Sequence, residues 1–400
     1  VDLVFPFFLF TMGAAFPLAM RKKLDNGVSR WEITGSLFRR WLTLTIFAIV
    51  LGNAYANGTS TRPAWMVQVF NILLWGVMFM SLVRIPDEKK GKLINNIGMF
   101  LLVVMAYVRI DFFGVPLNRW SSDIIIMILA NIAIWGGLIW MFTKDSLKLR
   151  WLVLFFIASI KAVSAYAPEA LAWVPSMSFI GWIFSWSFLQ YLVIALAGSI
   201  VGDMLLTQSR KNETVDIDNN HIAAGIIALV AALVQLWGLF TRNVLADFII
   251  SAILGAAFIA LTIKRRNVMT DIGYIGFALM LIGIIFDPID GGITKDHCNL
   301  SYMFTTSGMT ALTGAFILAL EFRWHIKGRG LSGSGQNPML AYTVTNFLTG
   351  PILALCGILP WLDRISVGSP FWGMFRGLFI TLLMVAVTCF FTKKKLFWRS

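Results

Sequence analysis

The residues able to do chemistry begin at the first turn of the chain. The stretch VDLVFPFFLFTMG, residues 1–13, is almost wholly apolar, yet it carries Asp2 near its start and Pro6 inside it. A charge at the mouth of a membrane segment is expensive without a partner or a watery cavity, so Asp2 reads as a functional acid. The plainer alternative is a carboxylate that caps its helix at the lipid headgroups. Pro6 removes one backbone hydrogen bond and kinks its helix, which membrane helices tolerate where neighbours satisfy the freed carbonyl. Lys161, Asp247 and Arg376 also lie within or at the rim of apolar runs. Adjoining loops add Arg109, Asp111, Asp287, Asp290, Lys295 and His297. Two acids and two bases at similar depth make either a structural ion-pair cluster or the lining of a polar cavity. The cavity is the preferred reading, because a purely structural bundle has no need of four costly charges.

Two loops concentrate the remaining polar groups. FDPIDGGITKDHCNLSYMFTTSG, residues 286–308, offers a turn at Asp290-Gly291-Gly292 and a cation at Lys295. Ser301, Tyr302, Thr305 and Thr306 follow as hydroxyls at the start of the next helix, with Ser301 and Thr305 four apart and so on one face. A bland account stands beside this one: Asn299 or Ser301 is an N-cap. RWHIKGRGLSGSGQNP, residues 323–338, joins Arg323, Lys327 and Arg329 to four glycines, a setting that suits phosphate groups. A cytoplasmic loop is basic anyway, so that signal is weak. Beyond it, Asn337, Tyr342, Thr343, Thr345 and Asn346 offer partners inside the bundle. Of three histidines, His221 and His325 read as solvated loop residues, and His297 as a surface residue with the alternative of a base. Cys298, Cys356 and Cys389 show no paired or metal-ligand spacing, and no Ser-His-Asp or Walker-type pattern appears.

The elements that must hold these groups are membrane helices. Hydrophobic residues make up 58% of the 400 and charged residues 13%, where a soluble domain carries roughly 25%. That balance predicts an all-α, polytopic transmembrane bundle, a single integral membrane domain over residues 1–400. Spans fall near 2–20, 38–55, 66–84, 93–108, 122–142, 149–167, 182–206, 221–240, 244–263, 272–287, 302–321, 338–358 and 371–391. Lysine and arginine test the topology independently. Of the 33, 25 fall in alternate loops and the C-terminal tail, against six in the opposite loops, with Lys161 and Arg376 inside spans. The rich side reads as cytoplasmic, which puts Asp2 on the outer face and the C-terminus inside. The net charge of +13 is thus an orientation signal spread over many loops, and no nucleic acid is expected. Tryptophans at span ends, such as Trp31, Trp65, Trp120 and Trp372, read as an interfacial belt. The chain opens without a methionine inside an apolar run, which reads as a fragment lacking a preceding helix and outer loop.

VDLVFPFFLFTMG with its outward-facing Asp2 resembles the hallmark segment of the heparan-α-glucosaminide N-acetyltransferase family, most of all its bacterial membrane relatives of unknown function. The likeness continues through GWIFSWSFLQY and onward to Gly202-Asp203, DGGITKD with SYMFTTSG, GQNPMLAYT and the closing FTKKKLFWR, and so spans nearly the whole chain. Each motif alone is only moderately specific. The resemblance implies a membrane acyltransferase of the bacterial inner membrane that takes acetyl from cytoplasmic acetyl-CoA and delivers it to an amino sugar or glycan outside. The family's catalytic histidine stands in the outer loop before the DLVFP helix, supported by an asparagine in the preceding helix; both would precede Val1, and His297 does not match that motif. On this reading Asp2 orients the histidine, and Lys295, Ser301, Tyr302, Asn337, Arg109 and Asp111 serve the acceptor. Arg323, Lys327 and Arg329 meet the coenzyme A phosphates, with no metal. The partners expected are membrane lipid and the glycan acceptor, and a homodimer is allowed. Direct transfer and an acetyl-enzyme route both suit these parts.

Two other classes compete. A secondary transporter of a small polar or sugar-like solute would also use broken helices and intramembrane charge, but would move solute without acyl-CoA and show an internal repeat. A membrane scaffold without activity would need none of the charges. Polar residues crowded toward the outer half count against the transporter, whose sites lie near the midplane.

Overall fold

The computed structural model describes residues 3–54, 62–114, 121–171, 181, 183–211, 215–295, 297–325 and 328–398, with the backbone alone for residues 54, 111–113, 171, 329 and 331. In chain order the helices are α1 (Val4–Asp25), α2 (Arg30–Ala54), α3 (Ala64–Leu82), α4 (Glu88–Phe113), α5 (Ile124–Thr143), α6 (Leu147–Tyr166), α7 (Trp186–Leu189), α8 (Leu192–Lys211) and α9 (Asn219–Thr241). There follow α10 (Val244–Thr262), α11 (Val268–Phe286), α12 (Leu300–Trp324), α13 (Arg329–Gly335), α14 (Pro338–Val344), α15 (Gly350–Leu355), α16 (Ile358–Ser366) and α17 (Pro370–Lys393). Among the described residues, 13 helices are long and apolar enough to cross a membrane, and they coincide with the 13 predicted spans. The protein is an all-α polytopic membrane bundle.

The chain gathers into two compact units, residues 1–45 with 124–326, and residues 46–123 with 327–400. In the first unit α8 and α12 are the buried centres. Every residue of α8 from Leu192 to Gly202 is buried, and so is every residue of α12 from Leu300 to Leu312. Helices apolar on all sides belong inside a bundle, and small residues let their backbones approach. Gly198 packs on the Phe10 carbonyl of α1 and Gly13 on the Ala195 carbonyl of α8, so neither position has room for a methyl. Across α11 and α12, Gly283 fits against Thr305 and Gly308 against Met280 in the same way. Caps set several starts: Ser146 accepts from the Leu149 N–H, Asp218 from His221, Asn267 from Thr270 and Asn299 from Tyr302.

The second unit packs α3 against α4 and folds the C-terminal tail onto their junction. Strand β1 (Val83–Arg84) pairs antiparallel with β2 (Phe397–Trp398), Val83 opposite Trp398. Trp398 is 1% exposed and sits edge-on to Phe47, Trp75 and Phe79. Between α14 and α15 the backbone widens into a π-turn, Thr345–Thr349, before Pro351. Helices α4 and α17 leave Phe100, Val103, Tyr107, Phe371, Met374 and Leu382 exposed, the faces such helices turn to lipid.

Candidate functional site

Polar side chains collect at both ends of the first unit. At the end where α1 begins, the segment from Asp287 to Asn299 is tied down at several described residues. Gly291 and Gly292 take φ values of +71° and +115°, which other residues rarely adopt, and turn the chain back. A side chain at Gly292 would also strike the Arg242 guanidinium. Asp290, brought back by that turn, accepts the Ser301 N–H at 2.7 Å and the Tyr166 hydroxyl. Asn299 accepts the Tyr302 N–H at 3.1 Å and donates to the Gly292 carbonyl at 2.6 Å. The orphan amides of the first turn of α12 are thus met by two side chains. Lys161, on α6, donates to the His297 carbonyl at 2.8 Å, while the His297 side chain is exposed. Lys295 lies 5.6 Å over the ring of Phe5, which packs edge-on to Tyr191, so the segment closes over the start of α1.

Among the described residues, the charges that the sequence set at similar depth find separate partners. Asp247 is buried and held by Ser251; Asp287 pairs with Arg242 at 3.4 Å; Arg376, in the second unit, pairs with Asp363 at 2.7 Å. Burial raises the Asp287 carboxyl above its ordinary range; Arg242 works against the rise and Asp290 adds to it. Cys298, held at φ +42°, is fully buried, and burial pushes its thiol up, away from the reactive thiolate.

The opposite end carries the loops rich in lysine and arginine, and here a cleft of about 910 Å³ opens. Six cations line it: Arg21, Lys144, Arg210, Lys211, Arg265 and Arg266. Four carboxylates join them, Asp145, Asp203, Asp216 and Asp271, with His221. Below its floor Arg150, with no exposure at all, donates to Thr143 Oγ1 and to the Ser199 carbonyl, and pairs with Asp203. Trp140 adds its indole N–H to the same Asp203 oxygen at 3.2 Å. One arginine thus binds α5, α6 and α8 together, and a buried cation so fully met has no spare donor geometry for a ligand. On the rim, Arg21 bridges Asp25 and Asp145, Arg210 pairs with Asp25, and Arg266 grips Asp271 with Nε and NH2 at 3.0 and 2.6 Å. His221 sets Nδ1 against Asp218 at 2.7 Å and Nε2 against the Arg265 carbonyl at 2.8 Å, fastening the start of α9 to the loop after α10.

The residues expected from the sequence distribute unevenly over this frame. Lys295, Ser301 and Tyr302 share one end of the first unit. Ser301 and Tyr302 are buried, and the Ser301 hydroxyl makes no hydrogen bond among the described residues. The Thr305 hydroxyl, on the same face, also makes none among them and lies against Gly283 of α11. Arg323 is exposed in the last turn of α12 and does not line the cleft. Arg109, Asp111 and Asn337 belong to the second unit. Arg109 is buried, whereas the side chain of Asp111 lies outside the described residues, as do Asp2, Lys327 and the side chain of Arg329. Asn337 is wholly buried and employed in structure: its amide donates to the Leu396 carbonyl at 2.9 Å and its oxygen accepts the Trp398 N–H at 2.9 Å. Sequence reasoning missed the cleft, having spent its cations on orientation. A usable signal was there, in the caps Ser146, Asp218 and Asn267, which start helices beside basic residues.

No curated protein and no solved structure matches the chain. Residues 1–205 match a family described as a domain of unknown function, DUF5009, and the chain belongs to that family.

Proposed function

We propose that this protein is a membrane acyltransferase, taking an acetyl group from acetyl-CoA at the basic, cytoplasmic end and passing it to an amino sugar or glycan at the other. The observation that carries the reading is the polarity of the first unit. Its two ends hold separate charged sites, the cleft at one and the Lys161, Asp290 and Lys295 groups at the other, joined by the same buried helices α8 and α12. A reaction whose donor and acceptor arrive from opposite sides needs that division; a scaffold needs neither end. The resemblance of VDLVFPFFLFTMG to the acetyltransferase family supports the same chemistry. On it, Asp2 orients a basic histidine, which accepts the amine proton while the sugar nitrogen attacks the acetyl carbon. Lys295, beside the start of α1, serves the developing oxyanion or the sugar. Coenzyme A thiol leaves on the donor side.

The test uses the full-length protein in proteoliposomes, given radiolabelled acetyl-CoA on one side and a panel of amino sugars on the other. Labelled sugar is expected, and Asp2→Asn should lower its formation while leaving expression intact. Solute flux without any labelled sugar would replace the reading with secondary transport. That second reading draws on the interrupted helix of the second unit, where the π-turn at Thr345–Thr349 and Pro351 break a span as transporter helices are broken.

A further inference from the structure

We infer that the buried polar group between α9 and α10 is a binding site for one sodium ion. The inference goes beyond the acyl-transfer reading and does not depend on it. Its centre is Asp247, in the first turn of α10 and 3% exposed. A buried acid at that position is ordinarily a helix cap or the partner of a cation. Asp247 is neither. Asn243 caps α10, taking the Ala246 N–H at 3.3 Å. Among the described residues Asp247 forms no ion pair; the charge that acts on it is a second acid, Asp287, which itself holds Arg242. Its carboxylate lies instead on the α9 backbone, where a side chain at Gly238 would strike it. Two neutral residues complete the group. Ser251, one turn along α10 and wholly buried, donates to Oδ1 at 3.4 Å. Gln235, on the Gly238 face of α9 and 1% exposed, hydrogen-bonds to the carboxylate through its amide. The oxygen of that amide, Oε1, is buried with no hydrogen-bond partner among the described residues.

An open acceptor beside an uncompensated carboxylate is a donor set with one member missing, and that member is positive. The donors select it. All three are hard oxygens, one charged and two neutral, so a single positive charge balances them, and a divalent ion would leave a charge over in apolar surroundings. Among the described residues no three His, Cys, Asp or Glu side chains gather as a metal site, which removes the transition metals. An ionised carboxylate only accepts, and Ser251 and the Gln235 amide already donate to this one, so an added proton would displace one of them. A metal ion instead gathers the carboxylate, the Ser251 oxygen and Oε1 together. The close seat on Gly238 favours sodium, the smaller of the common alkali ions. Helix α9 ends at Thr241, and the partial negative charge of that C-terminus adds to the pull on a cation.

The experiment follows the thermal unfolding midpoint of the full chain in nanodiscs of zwitterionic lipid as sodium chloride replaces choline chloride at constant ionic strength and pH. The midpoint should rise and saturate, as binding to the folded state requires, and potassium should raise it less. Ser251→Ala should move the half-saturating sodium concentration up severalfold. Asp247→Asn keeps the shape and removes the charge, so it should abolish the rise without lowering the midpoint in choline. A residue that only held the helices together would lower that midpoint too. Should Asp247→Asn fail to fold, the Ser251→Ala shift and the contrast between sodium and potassium still decide. A midpoint indifferent to sodium would overturn the inference, as would a rise that potassium matches or that Asp247→Asn retains. So would a midpoint that ignores sodium but falls as pH rises in the wild type and not in Asp247→Asn, because the site would then hold a proton.

Discussion

Asp290 is the residue on which one end of the first unit turns. It meets the Ser301 N–H and the Tyr166 hydroxyl at once, joining α6, the turn after α11 and the start of α12. Asp290→Ala should cost about 1–2 kcal/mol, the usual worth of a lost helix cap, read as a lowered thermal midpoint in detergent. Its neighbour Asp287 predicts a pH dependence. A buried acid whose folded pKa is raised favours the fold while protonated, so its contribution is full below the unfolded pKa, near 4, and fades as pH rises through the folded value. The wild-type midpoint should carry a component that falls as pH rises from about 4, and Asp287→Asn should lack it. Asp218 works in the other direction. The His221 backbone N–H holds its carboxyl low, giving stability that is present above the ordinary carboxylate range and lost as pH falls through the folded value. How much of this the sequence discloses differs by residue. Asn299 as an N-cap was readable from its neighbours. That Ser301 would give its backbone N–H to Asp290, eleven residues earlier, was not, since it depends on a reversal at two glycines that only the folded loop defines.

At the scale of elements, glycine spacing sets which helices touch. Gly198 and Gly13 sit where the α1 and α8 backbones meet, and a methyl at either would overlap a carbonyl oxygen. Gly198→Ala should destabilise by roughly 3 kcal/mol or more, since neither backbone can yield without separating the helices. Gly314→Ala is the matched control: it lies in α12 with open space around its added carbon and should be neutral or slightly stabilising. Comparing the two thermal midpoints separates close packing from helix propensity. The 13 spans were legible because length and apolarity alone define them. Partner choice was not, because lipid and helix interior are equally apolar and the discriminating cue is a few small residues. The π-turn after α14 was equally hidden, since Gly350 and Pro351 mark a disturbance without fixing its form.

At the scale of the whole molecule, the chain gathers into two compact units, each assembled from two separate stretches of chain. No composition change marks residues 46–123 and 327–400 as belonging together. Their grouping shows in contacts that sequence order conceals, such as Trp398 among Phe47, Trp75 and Phe79. Trp398→Ala should cost the second unit about 3–5 kcal/mol and release the short β-pair, seen as proteolytic cutting at the tail. Asn337→Ala should loosen the same tail, because it removes two of the hydrogen bonds that hold residues 396 and 398. That docking also has a consequence during biosynthesis. Helices α3 and α4 leave the ribosome more than 200 residues ahead of the segments that complete their packing. At translation speeds of about 5–20 residues per second, they wait in the bilayer for roughly 10–40 s without the Phe391 and Trp398 rings that pack on Trp75 and Phe79. A newly made second unit is thus open to capture by insertase or quality-control machinery until the C-terminal tail is made, whereas the first unit is complete at residue 326.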